Sequence, residues 1–298
     1  MRIAVSAASG QIGSALTRDL EAGGADVVRL VRREARTPAE ISWNPLEAGG
    51  LSPAAMRGID AVIHLSGAPI APRRWTSARK AVLRASRIRS TTTIAAAMAG
   101  AEPRPGVLLC ASAAGYYGIT GERIVDESAP AGQGFLAGLV RDWEAAAEPA
   151  RAAGIRVASF RSGAVLSPKG GLLGSLLPPF RLGLGAKIGS GRQYLSWISI
   201  TDEVRAIEFL LRSADASGPF NLTAPVPVTN AEFTRALAGA LGRPAAFTLP
   251  PAALKVALGE VTDELLGSAR VVPARLQAAG FRFDHPDIAT ALAALLSG

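Results

Sequence analysis

Residues 3 to 13 read IAVSAASGQIG, and this stretch decides the fold. Ile3, Ala4 and Val5 form a short apolar run, as carried by a parallel strand buried on both faces. Small residues turn the chain from Ser6 to Ser9, and Gly10 and Gly13 follow. Ile12, Ala15, Leu16 and Leu20 then fall on one face of a helix. Gly23 and Gly24 end it with the residue type that tolerates a left-handed turn. Strand, glycine turn and helix in this order cradle a phosphate. The helix start offers unpaired N–H groups and the positive end of its dipole. On Gly10 and Gly13 alone, the alternative is an ordinary tight strand-to-helix turn.

A second buried run, Val27, Val28, Leu30 and Val31, ends at Arg32 and Arg33. In a dinucleotide fold, the residue about 20 positions past the glycines meets the adenosine ribose. An acid there selects a free 2′-hydroxyl, and an arginine selects a 2′-phosphate. Arg32 directly ends the strand, so the expected cofactor is NADP(H) rather than NAD(H). The alternative is that both arginines are solvated loop charges.

The chain has 298 residues and is 49% hydrophobic, enough for one large α/β domain or a main domain with an appendage. No apolar run reaches the ~20 residues of a membrane span. The start leads straight into the first strand and resembles no cleavable signal. One cysteine, Cys110, excludes an internal disulfide framework and fits a reducing cytoplasm. Two histidines and one cysteine cannot build a usual zinc site. The net charge is +8, but the arginines are interleaved with apolar residues along the chain. The reading is a basic ligand cleft taking a small anionic substrate, with no nucleic acid and no membrane as partner.

A third strand, Ala61 to Leu65, is followed by Ser66, Gly67 and Ala68, a small-residue turn that lets backbone approach a cofactor closely. His64 lies inside that strand and reads as a buried or sheet-edge histidine with a backbone partner rather than a catalytic one. Pro69 and Pro72 break the chain. Arg73, Arg74, Arg79, Lys80, Arg84, Arg87 and Arg89 follow with no intervening acid. Much of that charge reads as a solvated helix face, although a basic stretch beside a glycine turn is also an anion site. Val107 to Cys110 is another buried strand, leading to Ser112, Tyr116 and Tyr117. Side chains at the carboxyl end of a central strand sit where open α/β sheets bind ligands. The alternative is that the tyrosines pack a loop. A helix is expected from Leu136 to Ala153 and a strand from Ile155 to Phe160. Gly170 to Arg192 reads as a cleft-lining segment. Acids at Asp202 and Glu203 suit a helix N-terminus, and Phe220 to Thr223 reads as a late strand. Thr229 to Glu232 is a capping box. The remainder is helical, with His285 in a surface loop. Alternation of strands and helices predicts a parallel sheet wrapped on both faces.

These residues resemble the extended short-chain dehydrogenase/reductase superfamily, and more closely its atypical branch of "epimerase family" proteins, described as nucleoside-diphosphate-sugar epimerases. The branch's hallmarks run along nearly the whole chain. They include Arg74-Trp75-Thr76, Ser86-Arg87, Ser112-Ala113-Ala114-Gly115-Tyr116-Tyr117-Gly118, and Arg141-Asp142-Trp143-Glu144. Pro168-Lys169-Gly170-Gly171, Gly189-Ser190-Gly191-Arg192-Gln193 and Asn221-Leu222-Thr223-Ala224-Pro225 continue the set. The resemblance implies α/β architecture: a Rossmann doubly wound parallel sheet with a small, mostly helical C-terminal substrate domain. The implied division is residues 1–165 for NADP(H), with 195–225 returning to that domain, and 166–298 for substrate. It implies cofactor contacts from Ala7, Gly10, Gln11, Ile12, Gly13, Arg32, Leu65, Ser66, Gly67 and Arg87.

Two departures from the superfamily pattern matter. Ala7 stands where the glycine turn has its first glycine, and a positive φ there strains an alanine. The superfamily's Tyr-x-x-x-Lys pair is absent, since no lysine here has a tyrosine four residues earlier. Ser112 matches the active-site serine, and Tyr116 or Tyr117 is the substitute proton donor. Tyr117-Gly118 also matches a strand-end pair that supports the cofactor pocket. Two functions follow: an NADP(H)-dependent oxidoreductase or epimerase with a rebuilt acid/base, or a non-catalytic NADP(H)-binding or sensing protein.

Overall fold

The computed structural model describes residues 1–70, 74–262 and 267–297; Pro72 and Arg73 of the basic segment lie outside them. Its centre is strand β1 (Arg2–Ser6), flanked by β2 (Asp26–Val31) and then β3 (Glu40–Ser42) on one side. On the other side stand β4 (Ala61–His64), β5 (Val107–Ala113), β6 (Arg156–Ser162) and β7 (Gly218–Leu222). All seven strands run parallel, in the order β7-β6-β5-β4-β1-β2-β3. The chain builds outward from β1 in one direction, then returns and builds outward from β4 in the other. The crevice above β1 and β4 is therefore the topological switch point, where sheets of this kind take ligands.

Alternation along β1 sends Ile3 and Val5 to one face and Ala4 to the other. Helix α1 (Gln11–Ala22) brings Leu16 and Leu20 onto the first face, beside Val204, Ile207 and Leu210 of a later helix, Ile200–Arg212. Helix α2 (Ser77–Ala99) covers the second face with Ile94 and Met98. The helix expected from Leu136 to Ala153 is two, α3 (Phe135–Ala145) and α4 (Glu148–Ala152). Pro149 lies in the first turn of α4, where a residue lacking an N–H is tolerated and the preceding helix must stop.

Helix α5 (Gly171–Arg181) opens the segment after β6, and α6 (Ile200–Arg212) returns to the sheet. Then come α7 (Asn230–Leu241), α8 (Pro251–Leu258), α9 (Ala274–Ala278) and α10 (Ile288–Leu296). Leu173, Leu177, Trp197, Phe233, Leu237 and Leu292 form a separate core here. The capping box is made: Thr229 Oγ1 accepts from the Glu232 N–H at 3.2 Å, and Glu232 accepts from the Thr229 N–H at 2.7 Å. The C-terminal part is less uniformly helical than its sequence reads. Phe247–Leu249 pairs in parallel with Ala186–Ile188, and Arg270–Val271 with Ile124–Val125. Nor is His285 a free loop residue. Its Nδ1 lies 2.9 Å from Ser199 Oγ, and its backbone N–H donates to Asp202. Among the described residues, no helix is long and apolar enough to cross a membrane.

Candidate functional site

The chain leaves β1 at Ser6 and reverses at Ala7, whose φ of +52° is the one positive value at a non-glycine among the described residues. The turn is closed by Gly10 N–H donating to the Ala7 carbonyl at 2.9 Å. Gly10 caps α1 without any side-chain hydrogen bond, and the first turn carries no acid. The N–H groups of Gln11, Ile12 and Gly13 have no partner within the helix, as at any helix start. Gly13 packs directly on the turn, because a Cβ there would lie 2.2 Å from the Ala7 oxygen. This arrangement opens on a cavity of about 470 Å³. Of the residues expected at a cofactor, Ala7, Gly10, Gln11, Ile12, Gly13, Leu65 and Gly67 line it. The opposite wall is Ala111, Ala164, Val165, Gly171 and Leu172. Gln11 Nε2 reaches across to the Val165 carbonyl at 3.4 Å, a role that sequence does not reveal. Ser66 belongs to the same loop but is not part of the lining, and Arg87 stands against Gly67 from the helix side.

A buried hydrogen-bond chain holds the Leu65–Gly67 loop in place. Ser6 Oγ accepts from the Leu65 N–H at 2.9 Å and lies 2.8 Å from His64 Nδ1. His64 Nε2 lies 3.0 Å from Ser90 Oγ, which donates to the Ser86 carbonyl at 2.7 Å. Ser90 has one hydroxyl proton, so Nε2 is the donor between them and Nδ1 is the acceptor for Ser6. Burial pushes the His64 pKa down to about 3, so the ring is neutral. Its partners are serine hydroxyls on β1 and α2, not the backbone group expected from sequence.

Past the end of β2 the two arginines separate. Arg33 forms a bidentate pair with Glu40, at 2.8 and 2.6 Å. Arg32 is exposed and pairs with no described residue. Of the two, Arg32 is the one available to a ligand.

On the neighbouring strands a second cluster forms. Parallel register sets Ser112 of β5, Arg161 of β6 and Asn221 of β7 side by side. Arg161 is 3% exposed and holds Glu144 of α3 with Nε and Nη2, both at 2.8 Å. Ser112 Oγ donates to the same carboxylate at 2.6 Å. Tyr117 OH donates to Asn221 Oδ1 at 2.8 Å and accepts from Arg161 Nη1 at 2.9 Å. Burial pushes the Tyr117 pKa up to about 12, against the pull of Arg161. Although burial works the other way, the Glu144 carboxylate and Tyr117 hold the Arg161 pKa above its usual value. Tyr116 is partly exposed, its ring lying under the Arg161 guanidinium at 3.4 Å, and its hydroxyl bonds to no described residue. The structure thus brings Ser112 and both tyrosines around one ion pair, while Tyr117 is fully engaged and Tyr116 is not. Sequence reading passed over Glu144 and Arg161 as a helix charge and a strand end. Their signals were slight: Glu144 closes the hallmark Arg141-Asp142-Trp143-Glu144, and Arg161 directly follows the apolar run Ile155–Phe160.

On the opposite face of β6, Ser162 Oγ donates to Glu203 Oε1 at 2.6 Å. Glu203 is fully buried, its Oε2 has no partner, and burial pushes its pKa up to about 8. A second cavity, of about 360 Å³, lies between Gly121–Glu122 and Ile188–Gln193. Among the described residues, no group of three or more His, Cys, Asp or Glu side chains is arranged to hold a metal ion.

Residues 3–223 match the model for the NAD dependent epimerase/dehydratase family, and residues 249–295 match a domain of unknown function, DUF1731. The chain is 50% identical to epimerase family protein Mb2239 of Mycobacterium bovis, over 97% of this chain and 96% of that protein. It is 39% identical to epimerase family protein SDR39U1 of Bos taurus, over 98% of each. The crystal structure of human SDR39U1 with NADPH superposes with a TM-score of 0.91 at 34% identity, covering 100% of this chain and 99% of that one. With a family match over most of its length and relatives this similar across all of it, the chain belongs to the NAD dependent epimerase/dehydratase family.

Proposed function

We propose that this chain binds NADP(H) in the cavity at the start of α1 and uses it to oxidise, reduce or epimerise a small substrate. The observation that carries the reading is the α1 N-terminus, free of acids and side-chain caps, facing a cavity, with Arg32 exposed just past the end of the neighbouring strand β2. Its N–H groups fit a pyrophosphate and Arg32 fits a ribose 2′-phosphate. The NADPH held by the human relative supports the same choice. When bound, NADP(H) supplies or takes up the hydride.

The chain's own residues do the rest. Tyr116 moves the proton at the substrate oxygen, and Ser112 orients that oxygen. Glu144, fixed by Arg161, sets the direction of the Ser112 hydroxyl. Tyr117 keeps its proton and braces Arg161. The part from 166 onward supplies the substrate side, with Gly171 and Leu172 already at the cavity wall. The single cysteine supports work in a reducing cytoplasm. A non-catalytic NADP(H)-binding role is the second reading. What favours it is the Ser112 hydroxyl proton, already given to Glu144.

Fluorescence titration tests the cofactor. NADPH binds at least about tenfold more tightly than NADH, and Arg32→Ala removes most of the difference, as loss of a charge-assisted phosphate contact requires. Equal affinities in the unmodified protein exclude a 2′-phosphate site at Arg32. A screen of carbonyl and sugar-nucleotide substrates, read as NADPH oxidation, separates the two functions. With a substrate in hand, Tyr116→Phe and Ser112→Ala each lower kcat by roughly 100-fold while NADPH affinity holds. Tyr117→Phe instead lowers stability by about 1–3 kcal/mol, because Arg161 and Asn221 lose a buried partner. Full kcat in Tyr116→Phe moves the proton donor elsewhere.

A further inference from the structure

Arg87 is a buried cation with no acid beside it among the described residues. It is 7% exposed, its Nη1 donates to the Ala68 carbonyl at 3.0 Å, and its guanidinium lies 5.1 Å from the Trp143 ring centre. Among the described residues no carboxylate pairs with it. Arg161, equally buried, has Glu144. Burial, and then repulsion from Arg79, pull the Arg87 pKa down to about 10, which leaves the charge in place at neutral pH.

Arg79 is only partly buried but shares this lack. It donates to the Pro69 carbonyl, no described carboxylate pairs with it, and its Nε is buried without a partner. Their neighbours on the helix are neutralised, Lys80 by Glu260 and Arg84 by Asp142. The two unpaired cations meet at the Gly67–Pro69 loop, and both Gly67 and Pro69 line the main cavity. The Arg87 guanidinium is so close to this loop that a Cβ on Gly67 would lie 3.1 Å from its Cζ.

We propose that Arg79 and Arg87 form a phosphate subsite at the Gly67–Pro69 edge of the cavity, taking the phosphate of a phosphorylated small substrate beside the dinucleotide. The proposal deepens the NADP(H) reading above and rests on it. Two cations with no acid between them match a phosphate monoester, which carries about −1.5 to −2 charges at neutral pH. Guanidinium groups offer paired donors that suit two phosphate oxygens. The dinucleotide's own pyrophosphate has the same chemistry, but the α1 N-terminus already fits it.

The test uses inorganic phosphate as probe. NADPH binding is titrated first, so that failure of the cofactor reading shows there. The protein is then melted, NADPH-saturated and cofactor-free, with and without about 10 mM phosphate at ionic strength held constant with sodium chloride. Phosphate raises Tm by about 2–4 °C in both forms, acetate does not, and the fluorescence of bound NADPH stays in place. In the NADPH-saturated form, where the α1 N-terminus is occupied, the rise disappears in Arg87→Met and in Arg79→Gln; the second, partly exposed position keeps the test open should the first variant fold poorly. Displacement of NADPH by phosphate assigns the arginines to the dinucleotide and overturns the substrate subsite. So does the absence of a phosphate-specific rise, or a rise that survives in the folded variants.

Discussion

Gly13→Ala is expected to reduce NADPH affinity by at least about 100-fold, and to lower the melting temperature by several degrees. A Cβ at this position lies 2.2 Å from the Ala7 oxygen and 2.9 Å from the Ala8 Cα. Both are backbone atoms, so no change of rotamer relieves the overlap. Either the turn or the first turn of α1 moves, and the N–H groups that face the cavity move with it. A 100-fold loss corresponds to about 2.7 kcal/mol of binding, well within what a few charge-directed N–H contacts supply. The geometry puts the burden on the turn itself, so even alanine affects both binding and stability. Fluorescence titration reads the first effect and a thermal melt the second. A natively folded Gly13→Ala protein that binds NADPH at full affinity would place the dinucleotide away from α1.

Glu203→Gln is expected to stabilise the protein at neutral pH and to flatten part of its pH dependence. The folded protein holds the Glu203 proton up to about pH 8, whereas the ordinary value is 4.5. Between these values the folded state binds one more proton than the unfolded state, so stability falls as pH rises. At pH 7 the penalty is on the order of 3 kcal/mol, at about 1.4 kcal/mol per pH unit. Glutamine keeps an oxygen for Ser162 and carries no charge, so the penalty disappears. His64 acts in the opposite sense. With its pKa pushed down to about 3 from 6.5, it costs stability as pH falls below 6.5. The two slopes cancel between about pH 4.5 and 6.5, so the Glu203 effect stands alone from about pH 6.5 to 8. Urea unfolding of both proteins across that window measures it. Parallel stability curves would mean that Glu203 is ionised or solvated in the folded protein.

The part of the site made by consecutive residues was legible in the sequence. Strand, turn and helix from Arg2 to Ala22 are local, and their apolar spacing and glycines announce them. The strain expected at Ala7 is present as a positive φ. The capping box at Thr229 is likewise a matter of spacing alone. What escaped was made by register. Ser112, Arg161 and Asn221 become neighbours only once three parallel strands are aligned, and no periodicity encodes that alignment. Glu203 shows the limit from another side. An acid near a helix start reads as a solvated dipole partner, yet burial leaves it protonated beside Ser162. The break between α3 and α4 was readable from Pro149, but the apolar pattern runs through it and hides the stop.

Ala7 has a consequence for how tightly the protein can hold its ligand. Glycine at this place would let the empty turn sample many backbone shapes, and the ligand would have to freeze one of them. Alanine in the left-handed region has few alternatives once the strand before it and the helix after it are fixed. The strain, on the order of 1 kcal/mol, is met when the chain folds. The cradle is therefore set before any phosphate arrives, and binding loses little entropy in ordering it. The residue that departs from the glycine pattern is thus the one that makes the proposed anion site rigid.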